Sequence, residues 1–229
     1  MSELMKVGAD WGDAGSFKPR TSGISGGLRI LDAHARFFDS TIAGRRFMTG
    51  ASITAINNAT FTTATTGATA TPVVGLWNPL NSQKYCIIEQ AQLAVIMTAL
   101  AATGPGGFAW MVSAGNAGIT TGLTPINAGT FLAGGSVAKG FAGQALTGMT
   151  GTLVILRGSG LGGGSAENVS FTATAVGMQT QAITQVENID GSIVVFPGGV
   201  LALMATTTPV AHSVVPGLAW EEVPFLVTV

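Results

Sequence analysis

From Ala51 onward the apolar residues recur with a period of two, the spacing that puts alternate side chains on opposite faces of a β-strand. Asn168–Val176 alternates cleanly: Val169, Phe171, Ala173 and Ala175 face one way, Ser170, Thr172 and Thr174 the other. Tyr85–Ala99 places Tyr85, Ile87, Ala91, Leu93, Val95 and Met97 on one face, with Cys86, Gln90, Gln92 and Thr98 on the other. Its Ile, Val and Thr content favours strand over helix. Gly151–Arg157, Thr184–Ile189, Ser192–Phe196, Val200–Ala205 and Ala219–Val229 read as further strands. Asp190-Gly191 is a hairpin signal between two of them, and Pro197-Gly198-Gly199 breaks the next pair. Turn signals recur and no strong helical pattern intervenes, so the expected class is all-β, an antiparallel sandwich or barrel. The stretch Gly104–Gly148, rich in Gly, Ala and Thr, is read as a strand around Phe108–Ser113, long loops, and a further strand near Phe131–Val137. Long loops on a sandwich are surface features with contacts to make.

Charge divides the chain. Only 9% of its 229 residues are charged, against about 25% in an ordinary soluble protein. Residues 1–50 hold 7 of the 10 Lys and Arg and 5 of the 11 Asp and Glu. The composition shift near Gly50 therefore marks the expected boundary between an N-terminal arm, 1–50, and a β body, 51–229. A body of that size buries roughly 70% of its surface and needs no disulfide or metal to fold. Within the arm, residues 1–27 are Gly- and Ser-rich yet carry Trp11, Phe17 and Ile24, which favours docking onto a partner over a solvated tail. Residues 28–47 are ambiguous. Leu28, Leu31, Ala35, Phe38 and Ile42 fit a helical stripe, whereas Leu28 and Ile30 followed by charges fit an extended segment.

A free monomer with so neutral a body tends to associate. The body is slightly acidic and has no basic stripe, which argues against nucleic acid as a partner. The opening MSELMKVGADWGDAG lacks an apolar signal core, and the longest apolar runs, Leu93–Ala102 and Val200–Ala205, are too short to span a bilayer. With one cysteine, Cys86, read as a lone buried thiol, the expectation is folding in a reducing cytosol. The sequons at Asn58 and Asn168 read as chance matches in a Thr- and Ser-rich chain.

Candidate chemistry is thin. Gly158-Ser159-Gly160-Leu161-Gly162-Gly163 matches GxGxxG after a strand, but the following GSAENVSFTATAV alternates as a strand where a dinucleotide site needs a helix. A flexible loop between two strands is the reading. His34 and His212 are far apart and neither has a nearby His or Cys. Near Pro209 and Pro216, His212 reads as a loop or interface residue. Glu221 and Glu222 are adjacent, so on a strand they face opposite ways and form no acid/base pair; at least one is expected to cap a turn or make a salt bridge. No GxSxG elbow, P-loop lysine or calcium loop is present. Neither an enzyme nor a cofactor protein is expected. Of the four tryptophans, Trp77, Trp110 and Trp220 lie in the body, where core packing and subunit-interface anchoring are equally open, and Trp11 in the arm is the better interface candidate. Arg45 and Arg46 are candidates for pairing with acidic groups on a partner, a solvated hinge being the alternative.

Two stretches carry a family resemblance. GLWNPLNSQKYCIIEQAQLAV joins an aromatic residue and Asn-Pro through a small polar turn to a strand. IDGSIVVFPGGVLALMATTTPVAHSVVPGLAWEEVPF joins a strand ending in Pro-Gly, an apolar strand, a loop and Trp-Glu-Glu before the last strand. Together, over about 75–100 and 189–226, they resemble the jelly-roll structural proteins of tailed-bacteriophage virions. The resemblance implies a jelly-roll sandwich, a homo-oligomer (a homotrimer in that family), and a role as a head cement or decoration protein bound to the major capsid protein or another virion protein. Tail or baseplate placement, or a carbohydrate-binding attachment module, are the alternatives. It implies no catalytic residues.

Overall fold

A computed structural model describes residues 37–50, 54–55, 64–66, 71–97, 107–120, 122–162, 182–206 and 212–225. The chain divides into two units, Met1–Phe38 and Asp39–Val229, and every strand described lies in the second. One turn of helix, α1 (Phe38–Ile42), ends where Gly44 takes φ +68° and Arg45 N–H donates to the Ser40 carbonyl. That turn is what the described residues retain of the stripe read over 28–47; Leu28, Leu31 and Ala35 lie outside them.

Two antiparallel sheets pack face to face. The first runs β10 (Ala182–Asn188), β5 (Lys84–Met97), β13 (His212–Pro224), β1 (Arg46–Gly50), β7 (Ile126–Asn127), with β11 (Val194–Val195) also on β5 and β2 (Thr54–Ala55) also on β13. The second runs β3 (Ala64–Thr66), β9 (Thr152–Gly162), β6 (Gly107–Ser113), β12 (Val200–Ala205), β4 (Val74–Trp77), β8 (Lys139–Phe141). Arg46–Gly50 thus pairs with Glu221–Gly217 inside the first sheet, so the drop in charge near Gly50 does not coincide with the edge of the folded unit.

The core follows from alternation. Phe47, Cys86, Ile88, Leu93, Leu218 and Trp220 of the first sheet meet Val74, Leu76, Trp110, Leu201 and Leu203 of the second. Gly75 lets β4 and β12 approach closely: a Cβ there would lie 2.6 Å from the Leu201 carbonyl oxygen. A second apolar cluster lies on the other face of the second sheet. There Ile119, Leu146 and Met149, from the loops between β6 and β9, pack with Phe141 of β8 over Met111, Leu153, Val200 and Ala202. Ile119, Leu146 and Met149 thus pack within their own chain, while Phe131 and Leu132 stay exposed at 78% and 68%. Residues 131–137, read as a strand, are irregular, because Gly134 and Gly135 take φ +100° and +78°, outside any strand; short β7 and β8 flank them.

Three other expectations are corrected. First, Tyr85 and Ile87 do not share a face with Ala91 and Leu93. The β5–β13 register steps from Ala219↔Gln90 to Trp220↔Ile88, leaving Glu89 as a bulge that reverses the alternation. Cys86 and Ile88 therefore point inward with Ala91 and Leu93, all fully buried. Second, Asp190-Gly191 forms a tight turn with φ +55° and +77°, but no hairpin. β10 and β11 continue along the same edge of β5, and the excursion between them faces the bulge, where the Glu89 carbonyl accepts from Ile189 and Asp190 N–H. Ser192–Phe196 accordingly shortens to Val194–Val195. Third, the last strand starts at His212, not Ala219, so His212 is a strand residue opposite Met97. Pro216, which has no N–H to give, falls in the gap between β13's pairings with β2 and β1.

Candidate interaction surface

The alternation that fills the core leaves one broad face of the first sheet outward. On β13, Val214 is 1% exposed and its neighbour Val215 is 37% exposed. On β5 the outward positions after the bulge are Gln90 and Gln92, and on β10 they are Thr184, Val186 and Asn188. Gln90 Nε2 donates to Asn188 Oδ1 at 2.9 Å, and the Gln92 side chain lies across Gly217. Before the bulge the outward residues are Ile87 and Tyr85, and Tyr85 meets Phe196 and Phe225 edge-on at 5.1 and 5.0 Å between ring centroids. Phe196 also borders an open groove of about 490 Å³ at the sandwich edge, lined by Val112, Val154, Leu156, Val194 and Ile193 among others, with no ionisable residue in its wall.

Charge is consumed internally. Arg45 pairs with Glu221 at 3.0 Å, Arg46 with Glu89 at 2.7 Å, Lys84 with Glu222 at 2.9 Å and Arg157 with Glu187 at 3.1 Å. Lys139 Nζ donates to the Ile119 carbonyl and stands 5.6 Å over the Trp77 ring. Each Lys and Arg from Arg45 onward is thus engaged within the chain. Glu221 and Glu222 do face opposite ways, and both make salt bridges. Glu222, 1% exposed, also accepts from Ser136 Oγ at 2.5 Å and Val137 N–H at 3.0 Å, which fixes the loop before β8.

The residues singled out from sequence are dispersed. Trp77, Trp110 and Trp220 are 5%, 0% and 0% exposed, so they pack the interior and present no surface to a partner. Trp77 Nε1 donates to the Asn116 carbonyl and Trp110 Nε1 to Glu187. Arg45 and Arg46 find their acids on β13 and β5 of the same chain. Trp11, Phe17 and His34 lie outside the described residues. Gly158–Gly162 belongs to β9 and is neither the loop expected nor the helix-entry turn of a dinucleotide site. No family model, curated protein or solved structure matches the chain.

Among the described residues no three His, Cys, Asp or Glu gather as metal ligands, and no helix is long and apolar enough to cross a membrane. Cys86 is buried as expected. Burial pushes its thiol pKa far above the ordinary value, Glu222's charge adding to this and Lys84 opposing it, so the reactive thiolate is suppressed. Sequence reasoning missed Val186, Phe196, Val215 and Phe225; the available signal was an apolar residue in the outward phase of an otherwise alternating strand.

Proposed function

We propose that the protein is a structural component of a tailed-bacteriophage virion, a head cement or decoration protein that acts by binding as a homo-oligomer. The observation that carries this reading is the surface. The described body spends its charges on itself and exposes a wide sheet face of neutral amides, hydroxyls and apolar side chains. Such a face can be buried in a permanent assembly without stranding a charge.

Strand order supports the jelly-roll part. Counting only the eight strands β1, β4, β5, β6, β9, β10, β12 and β13, the two sheets run sixth-third-eighth-first and fifth-fourth-seventh-second. That order is generated when a long antiparallel hairpin rolls up on itself into two Greek keys. A carbohydrate site fits less well. The rings of Tyr85, Phe196 and Phe225 meet edge-on, and the groove beside them is walled by aliphatic residues and a few hydroxyls, with no acid or amide to bind a sugar.

In this reading the N-terminal arm attaches the body to the shell or to a neighbouring subunit, adding avidity to the body's own contacts. Deleting residues 1–27 is expected to leave a folded oligomer that no longer decorates particles. Sedimentation of the truncated protein with particles lacking the native copy measures this, and normal decoration would refute the arm's role. Electron cryomicroscopy of the particle distinguishes head from tail placement directly.

A further inference from the structure

We infer that the outward face of the first sheet, across β10, β5, β13 and β1, is where a second copy of this chain docks, the two faces packing about a twofold axis. The inference names the contact behind the oligomer proposed above and rests on that oligomer, not on virion placement.

Three observations select a second copy as the occupant. The first is extent. β5 and β13 run 14 and 13 residues, about 45 Å, and four strands span about 19 Å. β10 and β1 add 7 and 5 residues, so the four strands cover roughly 620 Å², at the lower end of the range of about 600–1,000 Å² per partner in a stable interface of standard size.

The second is charge. Beyond the Glu89 bulge the outward positions of β10, β5 and β13 are Thr184, Val186, Asn188, Gln90, Gln92 and Val215, with small Ala94, Gly217 and Ala219 between them. None is ionisable, so a twofold axis through this part of the face brings no like charges together. A charged partner, by contrast, would find nothing there to pair with. The ion pairs Arg45–Glu221 and Arg46–Glu89 sit on the other side of the bulge, closed on themselves.

The third is hydrogen bonding. Carboxamides and hydroxyls carry donor and acceptor together, so each satisfies its own kind across a symmetry axis. Gln90 and Asn188 are already held by their mutual bond, which lowers the ordering cost of association. An isologous contact of this type closes as a pair, so the oligomer has an even number of chains or is a dimer, and the threefold ring expected from the resemblance does not follow from this face.

Full-length protein at micromolar concentration, measured by light scattering after size exclusion, is expected to have an even subunit number. Val215→Lys puts two buried ammonium groups near one another in the paired state. It should weaken association by about 100-fold or more and shift the mass to the monomer or to half the original assembly. Thr147→Lys, on the loop side of the second sheet where Thr147 is exposed, should leave the mass unchanged. Val215 is outward-facing, so both variants should keep the wild-type circular dichroism spectrum and a cooperative unfolding transition, which separates lost association from lost folding. If Val215→Lys misfolds, Gln92→Glu provides the same test by repulsion of opposite sign.

A monomeric or strictly trimeric wild type, or a mass untouched by both Val215→Lys and Gln92→Glu, overturns the inference. So does a variant that keeps its mass yet loses particle attachment, since the face would then serve another virion protein; in that case the virion reading survives and the second-copy reading does not. An oligomer broken by Val215→Lys in a protein that never binds particles supports the face and refutes the virion role.

Discussion

Glu187 sits on β10 at the inner face of the first sheet and reaches the second. It accepts from Trp110 Nε1 at 3.0 Å and from Arg157 at 3.1 Å, and Ser159 Oγ donates to it as well. Hydrogen bonds to a charged group contribute about 1.5–3 kcal/mol each where water is excluded, with less from Arg157, which is nearly half exposed. One carboxylate thus clips the two sheets together at their β10–β9 edge. Asn78 does similar work at the opposite end: its Nδ2 donates to the carbonyls of Lys84 and Val195 at 2.7 and 3.0 Å, tying β4 to β5 and β11. The Asn-Pro of the sequence is therefore a structural pin.

Cys86 gives a residue-scale prediction with a definite sign. Its thiol is held protonated in the folded state, chiefly by burial, while in the unfolded chain it ionises near the ordinary 9.0. Stability from this group is complete below pH 9.0 and is lost as pH rises beyond it, by up to about 1.4 kcal/mol per pH unit. Urea titrations should show a steeper alkaline decline for the wild type than for Cys86→Ala, and a thiol reagent should label Cys86 only as fast as the protein unfolds. Equal alkaline slopes in the two proteins would falsify the assignment.

At the scale of elements, the bulge at Glu89 decides which half of β5 faces which way. Deleting Glu89 removes the extra residue and leaves strict alternation with the facing unchanged, Cys86 and Ile88 inward and Tyr85 and Ile87 outward. The expected result is a cooperative urea transition that survives at a lower midpoint, because the bond to Arg46 is lost with the residue. Glu89→Gln retains the bulge and weakens the bond to Arg46, at a cost of about 1–3 kcal/mol. A deletion variant that loses the cooperative transition would show that Glu89 is not the extra residue of the pairing. This element also marks the limit of pattern reading. The strand Lys84–Met97, its length and its neutral outward residues Gln90 and Gln92 were legible, because period two is written in the residues. The phase reversal was not, because a bulge is a property of the pairing with β13 and leaves no local mark beyond one acid in an apolar run. The same holds for Asp190-Gly191. Its backbone conformation was legible from residue type, but whether the flanking strands pair with each other or with β5 is settled by what β5 presents.

For the whole molecule, ion pairs closed within the chain and a neutral docking face imply an assembly indifferent to ionic strength. Its mass by light scattering should stay constant from about 0.05 to about 0.5 M salt, a range over which the screening length falls from more than 10 Å to about 4 Å. Dissociation on adding salt would instead point to contacts made by charges, such as those concentrated in residues 1–50.

Taken by itself, the sequence determined the all-β class, the positions of β5, β6, β9, β10 and β12, the burial of Cys86, the opposite facing of Glu221 and Glu222, and the scarcity of charge in the body; the alternating stretch Asn168–Val176 lies outside the described residues. These are local or compositional quantities, set by alternation, turn residues and counts. Only the tertiary structure decided that Trp77, Trp110 and Trp220 are interior, that Arg45 and Arg46 pair with acids of their own chain, and that Val186, Val215 and Phe196 face outward. Each of those depends on partners distant in sequence: a strand's period says that two faces exist, and only the packing of one sheet on another says which of them meets water.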